Sequence, residues 1–141
     1  MKRRTFYLLA ILALVSSQLG SAAEEKANIA APKPIALKVV ASDSVASEPG
    51  VHTFASAEEL AKKNPKLLQQ FDRAIDFKTE DLVLVQWGSS GPPFGKLAFK
   101  TDKSSIIFAV EEPKVENRGQ AYKLGADWFT VAKGTKIVLM K

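Results

Sequence analysis

Ser89, Ser90 and His52 are the residues whose types suit covalent chemistry, and the two serines sit in the glycine- and proline-rich stretch Trp87-Gly88-Ser89-Ser90-Gly91-Pro92-Pro93-Phe94-Gly95. A serine hydrolase raises its nucleophile on a sharp Gly-x-Ser-x-Gly turn and needs a base within hydrogen-bond reach. Gly88-Ser89-Ser90-Gly91 has the wrong spacing, and His52 lies among Val51, Thr53 and Phe54 on an expected strand. A hydrolase using Ser89 or Ser90 with His52 is therefore one alternative, without the usual strand-turn-helix setting. A phosphate-binding loop ending in Gly95-Lys96 would need glycine at 90 and Ser or Thr at 97, where the chain has Ser90 and Leu97.

Metal and acid-base chemistry find even less. One histidine and no cysteine cannot furnish a structural zinc set, and Asp76, Glu80 and Asp81 lack calcium-loop spacing. Adjacent residues on a strand point to opposite faces, so Glu111 and Glu112 cannot share a substrate as an acid/base pair. No catalytic residue, metal or cofactor is assigned.

What the pattern does suit is contact. Three glycines and two prolines preset the backbone of a loop over 88–95, which reads either as a tight strand connection or as a recognition loop on a rigid scaffold. Aromatic and arginine side chains are enriched among interface anchors. The candidate protein contacts are thus Trp87, Ser89, Ser90, Pro93, Phe94 and, from a charged loop over 113–120, Arg118. Tyr122, Trp128 and Phe129 gather in the same C-terminal half.

The elements that must position these residues follow from periodicity. Residues 35–41 suit a first strand, 43–50 a loop and 51–54 a short second strand. Ser56-Ala57-Glu58-Glu59 is a capping box that opens a helical segment over 56–73. Leu60, Leu67, Leu68, Phe71 and Ile75 share one face of it, and Asn64-Pro65 divides it into two pieces. Leu82 to Trp87 reads as a central strand covered on both faces. Leu97 and Phe99 alternate with polar neighbours, with Phe99 inward, and a turn at 101–104 leads to a strand over 105–110. Trp128–Val131 and Lys136–Met140 flank Ala132-Lys133-Gly134-Thr135 as a second expected hairpin. The fold class is α+β, a mostly antiparallel sheet of about five to seven short strands with the helical segment packed on it.

Residues 1–23 have the form of an export signal: basic Lys2, Arg3 and Arg4, an apolar run from Phe6 to Val15, and small residues Ser21-Ala22-Ala23. The run is too short to span a bilayer. Cleavage after Ala23 would leave 118 residues: a spacer over 24–34 and one domain over 35–141. Of the net charge of +5, three charges belong to the signal, leaving +2 and no electrostatic footprint for nucleic acid. Lys62, Lys63 and Lys66 form the one basic cluster, the usual composition of a solvated helix face. Without cysteine there is neither a disulfide nor a lipid-bearing residue, so the expected product is secreted or periplasmic, with no stable membrane insertion. The absence of an Asn-x-Ser/Thr sequon fits a bacterial source.

The order of the helix, Ile75-Asp76-Phe77, the apolar strand 82–87, the glycine-rich loop, two strands, a polar loop and Trp128-Phe129-Thr130-Val131-Ala132-Lys133-Gly134 resembles small exported bacterial proteins related to the PrcB C-terminal domain, over roughly residues 51–140. The namesake is an accessory lipoprotein subunit of a surface protease complex, and this chain departs from it in lacking the lipid-bearing cysteine. The resemblance implies a non-enzymatic accessory role with an exported partner such as a protease, and a contact through the loop 88–95. A protease-inhibitor-like module using that loop is the second alternative.

Overall fold

The computed structural model describes residues 29–38 and 48–140. The expected signal and its cleavage point, residues 24–28 of the 24–34 spacer, and residues 39–47, on which the end of the expected first strand falls, lie outside the described residues; the last two spacer positions, Lys33 and Pro34, are already in a strand. Seven strands, one short helix and one 3-10 turn follow in order: β1 (Lys33–Ile35), β2 (Gly50–Phe54), α1 (Ala57–Lys63), the turn Leu67–Gln70, β3 (Glu80–Gly91), β4 (Lys96–Thr101), β5 (Ser105–Glu111), β6 (Ala121–Ala132) and β7 (Lys136–Leu139). They form an antiparallel sheet in the order β1-β6-β3-β2 and a second, mixed sheet in the order β4-β5-β7. Helix is thus the minor component, and β3 and β6 run to 12 residues each. No helix among the described residues is long and apolar enough to cross a membrane.

The continuously apolar run at 82–87 becomes a strand with a core on each side. Leu82 and Leu84 pack with Phe54, Leu60, Leu67, Phe71 and Trp128 under the helical segment, while Val83 and Val85 pack with Ile106, Phe108 and Val131 under the second sheet. Period-2 alternation divides the run between the two cores, and full burial of each such side chain contributes about 1.5–3 kcal/mol. Trp128 centres the first core, stacked on Phe54 at 6.0 Å and edge-on to Phe71 at 5.2 Å.

The helical segment divides at Asn64 as expected, but its second piece is only a 3-10 turn. Ser56 Oγ accepts from the Glu59 amide at 3.2 Å, and the Glu59 carboxylate accepts from the Ala55 amide at 2.7 Å, one residue earlier than the usual box. Asn64 ends α1, with its Oδ1 accepting from the Lys66 amide. In the tighter 3-10 turn Leu67 takes the core position, leaving Leu68 37% exposed and off the expected face.

Two further expectations are corrected. Phe99 is 46% exposed, because β4 is the outermost strand of the second sheet and the ring reaches only the flank of Phe108. β6 and β7 do not form a hairpin: β7 pairs in parallel with β5, from Ser105↔Lys136 to Phe108↔Leu139. Both sides of β6 near that turn are already taken, by β3 as far as Glu80↔Ala132 and by β1 at Trp128 to Thr130. The chain therefore crosses to the other sheet, through Gly134 at φ +77°, a conformation glycine adopts without a Cβ clash. Buried Asp81 fixes this crossing by accepting from Lys133 Nζ at 3.0 Å and the Gly134 amide at 2.8 Å. The β4–β5 hairpin forms as expected.

Candidate functional site

The candidate residues converge where β3 and β6 outrun their sheet. β2 leaves β3 at Gly50↔Gln86 and β1 pairs β6 only at 128–130, so among the described residues the two strands have only each other as strand partners from Trp87↔Gly125 to Gly91↔Ala121. The expected loop 88–95 is corrected accordingly: its first half is strand, and only Pro92 to Gly95 connects β3 to β4. The glycines here make room for rings. A Cβ on Gly88 would lie 1.8 Å from the Tyr122 hydroxyl, and one on Gly125 would lie 2.2 Å from Trp87 Cε2.

Ser89 lies beneath the connection, 2% exposed. Its Oγ accepts from the Gly95 amide at 2.7 Å and from Arg118 at 3.2 Å, and donates to Glu112 Oε2 at 2.9 Å. The same terminal nitrogen of Arg118 reaches the Ser90 carbonyl and Glu112 Oε2, with the Pro93 carbonyl 3.5 Å away. The Gly119 amide adds a bond to the Pro92 carbonyl at 3.0 Å. Strand end, connection and the 113–120 loop are thereby joined through one arginine, which has five N–H donors on a planar fork.

Of the six candidate contacts, Trp87 and Ser89 are buried, Phe94 and Arg118 are half-buried, and Ser90 and Pro93 are exposed. Trp87 is held internally, donating from Nε1 to Asp127 Oδ2 at 2.7 Å. Lys123 Nζ stands 6.0 Å from the Trp87 ring centroid and 5.9 Å from that of Phe94, bridging the two as a cation over aromatic faces. Tyr122 is 62% and Leu124 57% exposed, on the ribbon face opposite Lys123. Trp128 and Phe129 pack inward, Phe129 at 4.9 Å from Phe108, so the aromatic cluster of the C-terminal half divides between core and surface. Glu112, which sequence considers only as one of an acid/base pair with Glu111, serves here as an acceptor for Ser89 and Arg118; Lys123 and Leu124 carry no sequence expectation, and the alternation Tyr122-Lys123-Leu124 is the signal that places β6 this early.

The structure does not bring His52 to either serine. His52 is paired with Leu84, five residues before Ser89 on β3, a separation of about 17 Å along the strand. Ser89 also points to the opposite face of the sheet from Leu84. Ser90 is six residues from Leu84, farther still. The acidic candidates are engaged elsewhere: Glu80 with Arg73 at 3.3 Å, Asp81 with Lys133, and Asp76 with the Lys78 amide at 3.0 Å and the Thr79 hydroxyl at 3.1 Å. No group of three or more potential metal-ligating side chains of the His, Cys, Asp or Glu type occurs among the described residues. In comparisons with known proteins, no family model, curated protein or solved structure matches the chain.

Proposed function

We propose that this chain is a non-enzymatic binding module that contacts another exported protein through the tip of the β3–β6 ribbon. The observation that carries the reading is the Arg118-anchored connection Pro92–Gly95 closing the end of the ribbon, with Phe94 beneath Lys123 on one side of it and the exposed Tyr122 and Leu124 on the other, so that a partner seated over the tip reaches both. A surface fixed before encounter loses little conformational freedom on binding, and large apolar or aromatic side chains provide most of the energy of such contacts. Pro93, Phe94, Ser90, Tyr122 and Leu124 form the contact, while Trp87, Ser89 and Arg118 support it from beneath. The resemblance to the PrcB C-terminal domain, with a protease as the exported partner, belongs to this same reading.

Protease inhibition by substrate-like insertion is less well served. The connection is only Pro92, Pro93 and Phe94 between two buried glycines, too short to lie extended along a cleft. The test is capture from the exported fraction of the source cells by wild-type, Phe94→Ala and Tyr122→Ala proteins. Each substitution is expected to weaken a captured partner about fivefold or more, about 1 kcal/mol. Tyr122→Ala should leave the melting temperature unchanged. Undiminished capture by both variants would contradict the proposal, and an assay of residual protease activity separates inhibition from passive binding.

A further inference from the structure

We infer a second interaction surface at the other side of the first sheet: a groove between edge strand β2 and helix α1 that takes an extended acidic peptide segment as an added strand. The groove, about 570 Å³, is lined by Val51, His52, Thr53, Phe54, Glu59, Lys62 and Lys63. One wall is a strand edge. β2 is outermost in its sheet, and no other described strand pairs with its free side. Natural edges are usually defended by lysine, proline or a bulge in the strand itself. Gly50-Val51-His52-Thr53-Phe54 has neither lysine nor proline, and its five-residue register with β3 is unbroken.

The other wall supplies the charge. Lys62 and Lys63 are exposed in the last turn of α1 and have no acidic partner among the described residues. The one carboxylate lining the groove, that of Glu59, already accepts from the Ala55 amide. Glu59 keeps its negative charge there, but neither ammonium group pairs with it among the described residues, and two lysines against one carboxylate leave the groove beside the strand edge with a net positive charge. An added strand would satisfy the free backbone groups of β2 about 4.8 Å away, with alternate side chains directed toward α1. Carboxylates at those alternate positions meet Lys62 and Lys63, and β-branched residues between them fall on the Val51 and Thr53 side. Charge opposition selects among extended partners and raises the rate of encounter. This surface is independent of the ribbon tip and does not rest on it.

The test uses the protein with a fluorescent ten-residue peptide alternating glutamate with valine or threonine, and a control with lysine for glutamate. Fluorescence anisotropy is expected to show saturable binding of the acidic peptide only. The double variant Lys62→Glu, Lys63→Glu should weaken it at least tenfold at low salt, its unchanged circular dichroism spectrum showing that it folds. In wild type, amide exchange over residues 50–54 should slow with peptide bound. Equal binding of both peptides, no binding, or binding without protection of 50–54 would overturn the inference. Binding to phosphatidylglycerol vesicles with no binding of the peptide would overturn it too, reassigning the lysines to a lipid headgroup.

Discussion

Ser89 has the side chain of a nucleophile, but its surroundings make it a keystone of the ribbon tip. Its hydroxyl has an amide and a guanidinium donating to it and a carboxylate accepting from it, so replacing it leaves the Gly95 N–H without its acceptor in a buried site. An unsatisfied buried donor costs about 1–3 kcal/mol. Ser89→Ala is therefore expected to lower the unfolding free energy measured in urea by that amount, through a lower midpoint at unchanged slope, and a fluorophosphonate probe should label the wild-type and variant proteins equally little. Labelling of wild type that disappears in Ser89→Ala would show a nucleophile where the geometry places a buried polar support. Arg118 was legible as a residue of interest from its type alone. Its role was not, because the carbonyls and the carboxylate it reaches come from positions 25 to 28 and 6 residues away in the chain.

Among the elements, the strand that reaches Gly91 was the hardest to read. Glycine and serine have weak strand preference, so 88–91 has a loop composition, and only the equally long β6 opposite supplies the backbone bonds that extend it. The two ribbon glycines make opposite predictions. Gly125→Ala forces the added methyl into a Trp87 ring that is 8% exposed and tied to Asp127, and should destabilise the fold by about 1–3 kcal/mol. Gly88→Ala meets only the outer end of exposed Tyr122, which can swing aside, so stability should change by no more than about 0.5 kcal/mol. Thermal unfolding of the pair checks both, and equal losses would contradict the packing described. The capping box, the break at Asn64 and the β4–β5 hairpin were readable because local hydrogen bonds or turn spacing determine them. The destination of β7 was not, since its four-residue approach suits a hairpin and only the prior occupation of both sides of β6 sends it to the second sheet.

At the scale of the molecule, β3 belongs to both cores, so neither can be lost while the other stands. Trp128 lies in the first core, and Trp87 where the ribbon leaves the sheet. Unfolding followed by Trp128 fluorescence in Trp87→Phe, and by Trp87 fluorescence in Trp128→Phe, should give in each variant a midpoint that coincides with its own far-ultraviolet dichroism. A fluorescence midpoint well below the dichroism midpoint in Trp128→Phe would mean that the ribbon unfolds separately from the sheets. A cooperative ribbon is what the proposed contact needs, because its advantage lies in being held before a partner arrives.

Site-specific photocrosslinking tests that contact most directly. With benzoylphenylalanine placed at position 122 and, in a parallel protein, at position 99, an exposed aromatic site on the second sheet, both proteins are irradiated in the exported fraction of the source cells. The account predicts a discrete crosslinked partner from position 122 that is competed by unlabelled wild type and reduced by Phe94→Ala, with none from position 99. The same adducts from both positions, or none from position 122, would contradict it.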